Sequence, residues 1–230
     1  MNTNSKNTYF YRLESIEYKT QKYKNIPKKN KDETLNVDIK YLGIYSELFI
    51  AQKAMKEYIN FNEQICFAGF RITKEYVNDK NHLYFYEPDM TYIYDKNDKH
   101  VAELEGRGKD TNFDNDVYIG FDNKRISLKR GDFVMCQYGN DMIPGILIEY
   151  PISKKGWKER KLSPSNNYDA TYIIATTNGY DHPKITHVYP APTKPTKKLL
   201  KKMQRNFIRF YCSDLNHFNK QYKKYFDKFQ

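Results

Sequence analysis

Hydrophobic positions along this chain follow two different periods. From Tyr9 to Tyr18 a weak alternation through Phe10, Arg12, Glu14 and Ile16 predicts a strand, and Val37–Ile44 predicts a second. The lysine-rich stretch between them, Thr20 to Asn36, carries Pro27 and the polarity of an exposed loop. The period then lengthens. Leu48, Ala51, Ala54, Met55, Tyr58 and Ile59 recur at helical spacing, behind Ser46 as the expected N-cap and Glu47, whose charge suits the positive end of a helix. Gly69–Val77 returns to alternation, with Phe70 and Ile72 on one side and Arg71 and Thr73 on the other. Residues 1–80 are therefore expected to form a small α/β domain.

Beyond Leu83 the apolar runs shorten to "LYFYE", "TYIY", "DVYIGF", "DFVMCQY", "IPGILIEY", "TYIIATT" and "ITHVYP", separated by Asp, Asn, Gly and Lys. Short, regularly spaced strands with such turns predict a β-rich, barrel-like domain over 81–190. After the prolines of "YPAPTKPT" the helical period reappears. Leu200, Met203, Phe207 and Phe210 or Tyr211 form one stripe. Ser213 or Asp214 is placed to cap a second helix carrying Leu215, Phe218, Tyr222, Tyr225 or Phe226, and Phe229. Residues 191–230 are expected to be a basic amphipathic helical segment, and the fold class is α+β.

Composition supports a real core. The hydrophobic fraction is only 39%, but 14 Phe and 22 Tyr each bury a large area, so 230 residues suffice without metal or disulfide. Cys66, Cys136 and Cys212 lie far apart with no CxxC spacing, which reads as free thiols in a reducing compartment. The N-terminal "MNTNSKNTYFYRL" lacks a continuous apolar region, and no apolar run is long enough to span a bilayer. A soluble, cytoplasmic protein is expected, with no cofactor and no membrane span.

Charge is more informative than hydrophobicity. The net charge is +11, and of the 39 basic and 28 acidic residues, 11 Lys and Arg but only 2 Asp fall between Lys194 and Gln230. That segment carries +9 and the rest of the chain +2. Two smaller clusters gather Lys19, Lys22, Lys24, Lys28, Lys29 and Lys31 around Pro27, and Lys154, Lys155, Lys158, Arg160 and Lys161 around Trp157. Lys and Arg neutralise phosphates, so these clusters point to a polyanion.

Short motifs add less. Gly43-Ile44-Tyr45 and Tyr118-Ile119-Gly120 spell the triplets of the GIY-YIG endonuclease family, but there the triplets lie on adjacent strands of one hairpin, and here Tyr45 and Tyr118 are 73 positions apart. Gly43, Ile44, Tyr45, Ser46, Ala51, Ala54, Gly69 and Phe70 resemble uncharacterised bacterial and phage proteins, in which a GIYS-type strand precedes an Ala-rich helix, a Gly-Phe pair and a strand. That resemblance covers about residues 1–80 and implies a small α/β domain without a known active site. The stretch "LKRGDFVMCQYGNDMIPGILIEYP", residues 128–151, resembles a hairpin of SH3-like barrels. Asp110, Asp114, Asp116 and Asp122 are acidic enough for a divalent cation but read better as turn residues. Glu103, Glu105 and Arg107 read as an exposed strand face, and His182 and His187 as rim histidines.

The function expected from these features is a non-enzymatic binding protein of bacterial or phage origin that engages nucleic acid or a nucleic-acid-handling complex. Its expected binding residues are Lys197, Lys198, Lys201, Lys202, Arg205 and Arg209 on the C-terminal helix, with Lys154, Lys155, Trp157, Lys158 and Arg160. The alternatives are an inhibitor or accessory subunit docking on an acidic protein partner, and a metal-dependent enzyme using the Asp114/Asp116 or His182/His187 region.

Overall fold

The structure, a computed structural model, describes residues 9–21, 24–27, 34–76, 90–105, 126–151 and 171–229. β1 (Tyr9–Tyr18) forms as its alternation predicts. Leu13 faces the layer beneath the first helix while Ile16 and Tyr18 face the central core, so one strand serves two hydrophobic layers. The lysine-rich stretch is not all loop, because β2 (Thr20–Gln21) and β3 (Lys24–Pro27) pair as a short ribbon. β4 (Leu35–Tyr45) pairs with β1, with a bulge opposite Leu13 and Glu14 beside Gly43, whose φ of 151° suits glycine.

Helix α1 (Leu48–Phe61) lays Ala51 and Met55 on Leu13, Phe70 and Ile72 of the sheet, the face that its spacing predicts. Ser46 does not cap it. Glu47, still extended at φ −138° and ψ 147°, holds the cap position, and no side chain caps the helix. Ser46 therefore sits one residue too early, and the packed apolar face stabilises the helix instead.

β5 (Phe67–Tyr76), β6 (Met90–Asp95) and β7 (His100–Glu105) continue the sheet on the other side of β1, each antiparallel to its neighbour. β8 (Phe133–Tyr138) and β9 (Asp141–Glu149) form the expected hairpin through a tight turn at Gly139, which has a φ of 57°. β10 (Ile173–Thr176) and β11 (Gly179–Asp181) follow. "ITHVYP" divides into a single 3-10 turn, Ile185–His187, and β12 (Val188–Pro190), which pairs with β8. The expected strands "LYFYE" and "DVYIGF" lie outside the described residues.

Among the described residues these strands make a ten-stranded sheet, ordered β11-β10-β9-β4-β1-β5-β6-β7, with β8 between β9 and β12. β9 joins its two parts. Asp141 and Met142 pair with β4 and Gly145 onward with β10, and Pro144 falls at the handover, where a missing N–H costs no described ladder bond. The pairs are antiparallel and the helices are segregated, which is the α+β class expected; the described pairings run from β11 to β7 without closing into a barrel.

Helix α2 (Lys197–Phe210) is capped by Thr196, whose hydroxyl oxygen accepts the Leu199 N–H at 3.2 Å. α3 (Leu215–Gln221) is capped by the Asp214 carboxylate, which accepts the His217 N–H at 2.6 Å. Where one second helix was expected there are two, because the chain breaks at Tyr222 (φ −120°, ψ −24°) before α4 (Lys223–Asp227). The Tyr222 hydroxyl donates to the Glu149 carboxylate at 3.1 Å. The break lets Phe218 and Phe226 join Leu199, Leu200, Met203 and Phe207 on Ile146, Ile148 and Ala175, the outer face of the sheet. Leu147, between those two isoleucines, faces the central core.

Candidate nucleic-acid interface

Helix α2 has two faces because charge and hydrophobicity repeat out of phase. At about 100° per residue, Lys197, Lys201, Arg205, Lys198, Arg209 and Lys202 fall within an arc of about 140°, and Leu199, Met203, Phe207 and Leu200 within another of about 100°. The apolar arc is buried against the sheet. Lys197, Lys198, Lys201, Arg205 and Arg209 are exposed, and Lys202 is half-buried. The rings of this segment therefore mostly belong to the core. Phe207 stacks on Tyr211 at 4.8 Å between ring centroids, and only Phe210 stands exposed, under the Arg209 guanidinium at 5.0 Å.

Four of the six cations on this face lack a counter-charge among the described residues. Lys197, Lys198, Lys201 and Arg205 form no ion pair among the described residues, whereas Lys223 on α4 is held by Asp227 at 2.6 Å. No acidic residue lies in the first turn of α2, where the helix dipole presents positive charge, and Lys197 and Lys198 stand there instead. Two unpaired cations at the positive end of a helix lower its stability. The face they crown is about 18 Å long from Lys197 to Arg209, the reach of roughly five base steps along a duplex.

The other expected groups divide. Lys154, Lys155, Trp157, Lys158 and Arg160 lie outside the described residues, as do Asp110, Asp114, Asp116, Asp122 and Arg107. Of the N-terminal cluster, Lys19 is paired with Asp38 at 3.0 Å. Cys66, Cys136 and Cys212 are free thiols, as their spacing implied, and burial pushes each of them up from the usual thiol range. Glu103 is half-buried, 3.5 Å from the His100 imidazole. His182 lies at the surface with its ring 5.4 Å from that of Tyr180. Among the described residues no group of three or more His, Cys, Asp or Glu gathers as a metal site would require.

His187 stands in a setting that its sequence does not disclose. Burial, then the positive charges of Arg71 and Lys184, push its imidazole down to about 4, and its Nδ1 lies 2.9 Å from the Thr186 hydroxyl. Arg71 donates to Glu14 through Nε and Nη2, each at 2.9 Å. Arg12 lies 3.2 Å from Glu75, which also accepts the Thr73 hydroxyl at 2.9 Å. Burial and the neighbouring positive charges of Arg71 and Lys184 keep this imidazole neutral at physiological pH.

No family model, curated protein or solved structure matches this chain. Sequence reasoning found the basic face of α2, because its period and its charge share fourteen residues. It did not find Lys99 and Lys228, which the fold brings to one cleft near Lys194.

Proposed function

We propose that this is a binding protein of bacterial or phage origin that engages nucleic acid, or a complex that handles nucleic acid, through the basic face of α2. The source assignment rests on the GIYS resemblance. The observation that carries the functional reading is the row of Lys197, Lys198, Lys201 and Arg205, exposed and without ion pairs among the described residues, on a helix whose other face is fixed to the sheet. Phosphates supply the missing counter-charge and release condensed cations as they do so. Phe207 is committed to the core and Phe210 alone of the α2 rings stands exposed, so the face is read as recognising backbone rather than base.

Acetylation of surface lysines with and without a saturating short DNA duplex tests this reading. Lys197, Lys198 and Lys201 are expected to lose reactivity severalfold, while Lys53 on α1, 4.0 Å from Glu57, keeps it. Equal protection of both sets, or of neither, contradicts the proposal. A second reading, docking on an acidic protein partner, draws on the exposed Ile39, Tyr41 and Ile44 of β4 and Phe49 of α1. A stoichiometric protein that stays bound after nuclease treatment of the native complex favours it; loss of every partner opposes it.

A further inference from the structure

A cleft of about 690 Å³ opens where four distant segments meet: the turn between β6 and β7, the turn at Lys129–Asp132 before β8, the stretch Pro190–Lys194, and the residues after α4. Main-chain hydrogen bonds hold its walls. The Ser127 N–H donates to the Val101 carbonyl at 2.8 Å, the Gly131 N–H to the Leu147 carbonyl at 2.7 Å, and the Ala191 N–H to the Phe133 carbonyl at 3.1 Å. The Lys228 ammonium donates to the Arg130 carbonyl at 3.0 Å, pinning the end of the helical segment to the cleft. Such a cleft is formed before a ligand arrives, and its volume lies within the range of small-molecule sites.

Its lining carries an excess of one positive charge, three lysines against two aspartates. Asp95 and Asp132 line it, but the Asp95 carboxylate accepts the N–H groups of Asn97 at 2.8 Å and Lys99 at 3.0 Å, and that of Asp132 accepts the Lys129 N–H at 2.7 Å. Lys228 lies 4.0 Å from Asp132. Lys99 and Lys194 are exposed and form no ion pair among the described residues. Beside these ammonium groups the rings of Phe133 and Phe229 meet edge to face, 6.2 Å between centroids, with Leu128 and Val101 buried in the same wall. Exposed cations next to an aromatic wall suit an anion with a flat apolar body.

We infer that this cleft binds one nucleotide, its base against Phe133 and Phe229 and its phosphate toward Lys99 and Lys194. The choice of a nucleotide rests on the nucleic-acid reading above. Lys194 stands three positions before Lys197, so a strand lying along α2 has its end beside the cleft. A strand end and a free mononucleotide offer the same chemistry.

The full chain, labelled with nitrogen-15, is titrated with thymidine monophosphate, thymidine, inorganic phosphate and a single-stranded oligothymidylate. The mononucleotide is expected to shift the amide signals of Lys99, Ser127–Asp132, Ala191, Thr193 and Lys194, and to bind more tightly than either of its halves. Lys99→Gln with Lys194→Gln is expected to weaken it about tenfold. Both lysines are exposed, so the thermal midpoint should stay unchanged. Inorganic phosphate binding as tightly as the nucleotide, shifts spread over the whole surface, or full affinity in the folded double variant overturns the inference. Cleft shifts with the oligonucleotide alone assign the site to a strand end, those with the mononucleotide support a nucleotide in either form, and shifts with neither overturn it. Duplex binding is measured in parallel: its loss with mononucleotide binding intact removes the reading of α2 and leaves the cleft standing.

Discussion

Replacing Lys197 and Lys198 together by glutamate should raise stability and weaken binding, two effects that a merely structural helix face does not combine. Both residues occupy the first turn of α2, exposed and without ion pairs among the described residues. Exchanging positive for negative charge there turns an unfavourable dipole interaction into a favourable one, about 0.5–1 kcal/mol per residue and about 1–2 kcal/mol together. For a chain of this length that is a rise in Tm of about 3–6 °C. Binding moves the other way. Each phosphate contact contributes about 0.9 of a decade at 0.1 M salt, so losing two weakens duplex affinity about 60-fold, and the new repulsion adds to that. Differential scanning calorimetry and fluorescence anisotropy of a labelled duplex read the two effects. A lowered Tm, or an affinity within twofold of the parent, would refute the reasoning.

Two other predictions concern the frame that holds this face. His187 is pushed down from 6.5 to about 4, so the unfolded chain takes up the proton first as pH falls, and stability drains away below pH 6.5 until about pH 4. Denaturation in urea at pH 7 and pH 5 should show about 2 kcal/mol of acid destabilisation that His187→Gln removes; an equal loss in both proteins contradicts the assignment. Phe207→Ala empties a fully buried site ringed by Tyr211, Tyr222 and Phe226 and should cost about 3–5 kcal/mol, seen as a lower urea midpoint. A change below about 1 kcal/mol would mean that α2 is not docked as described.

What the sequence disclosed depended on how local the cause was. α1 and α2 each repeat their apolar positions within one short segment, so their faces could be read directly, whereas the weak alternation of β1 placed the strand but not its two buried layers. The Ser46 cap was misplaced because capping turns on a single residue, and Glu47 remains extended. The break at Tyr222 was not legible, since its hydroxyl meets Glu149, 73 positions away. The double pairing of β9 with β4 and β10, like the neutral state of His187 beside Arg71, arises from strands far apart in the chain. Of the candidate sites, the stripe on α2 was visible for the same reason as the helix itself. Lys99 and Lys228 gave no signal, because only the folded chain brings them to the cleft beside Lys194.

The salt dependence of duplex binding measures the central claim most directly. Five exposed cations on α2, Lys197, Lys198, Lys201, Arg205 and Arg209, predict that the logarithm of affinity falls against the logarithm of salt with a slope of about −4 to −5. Replacing the first four by glutamine should reduce that slope to about −1 while the protein stays folded. A slope near zero in the parent protein, or the same steep slope in the variant, would contradict the account.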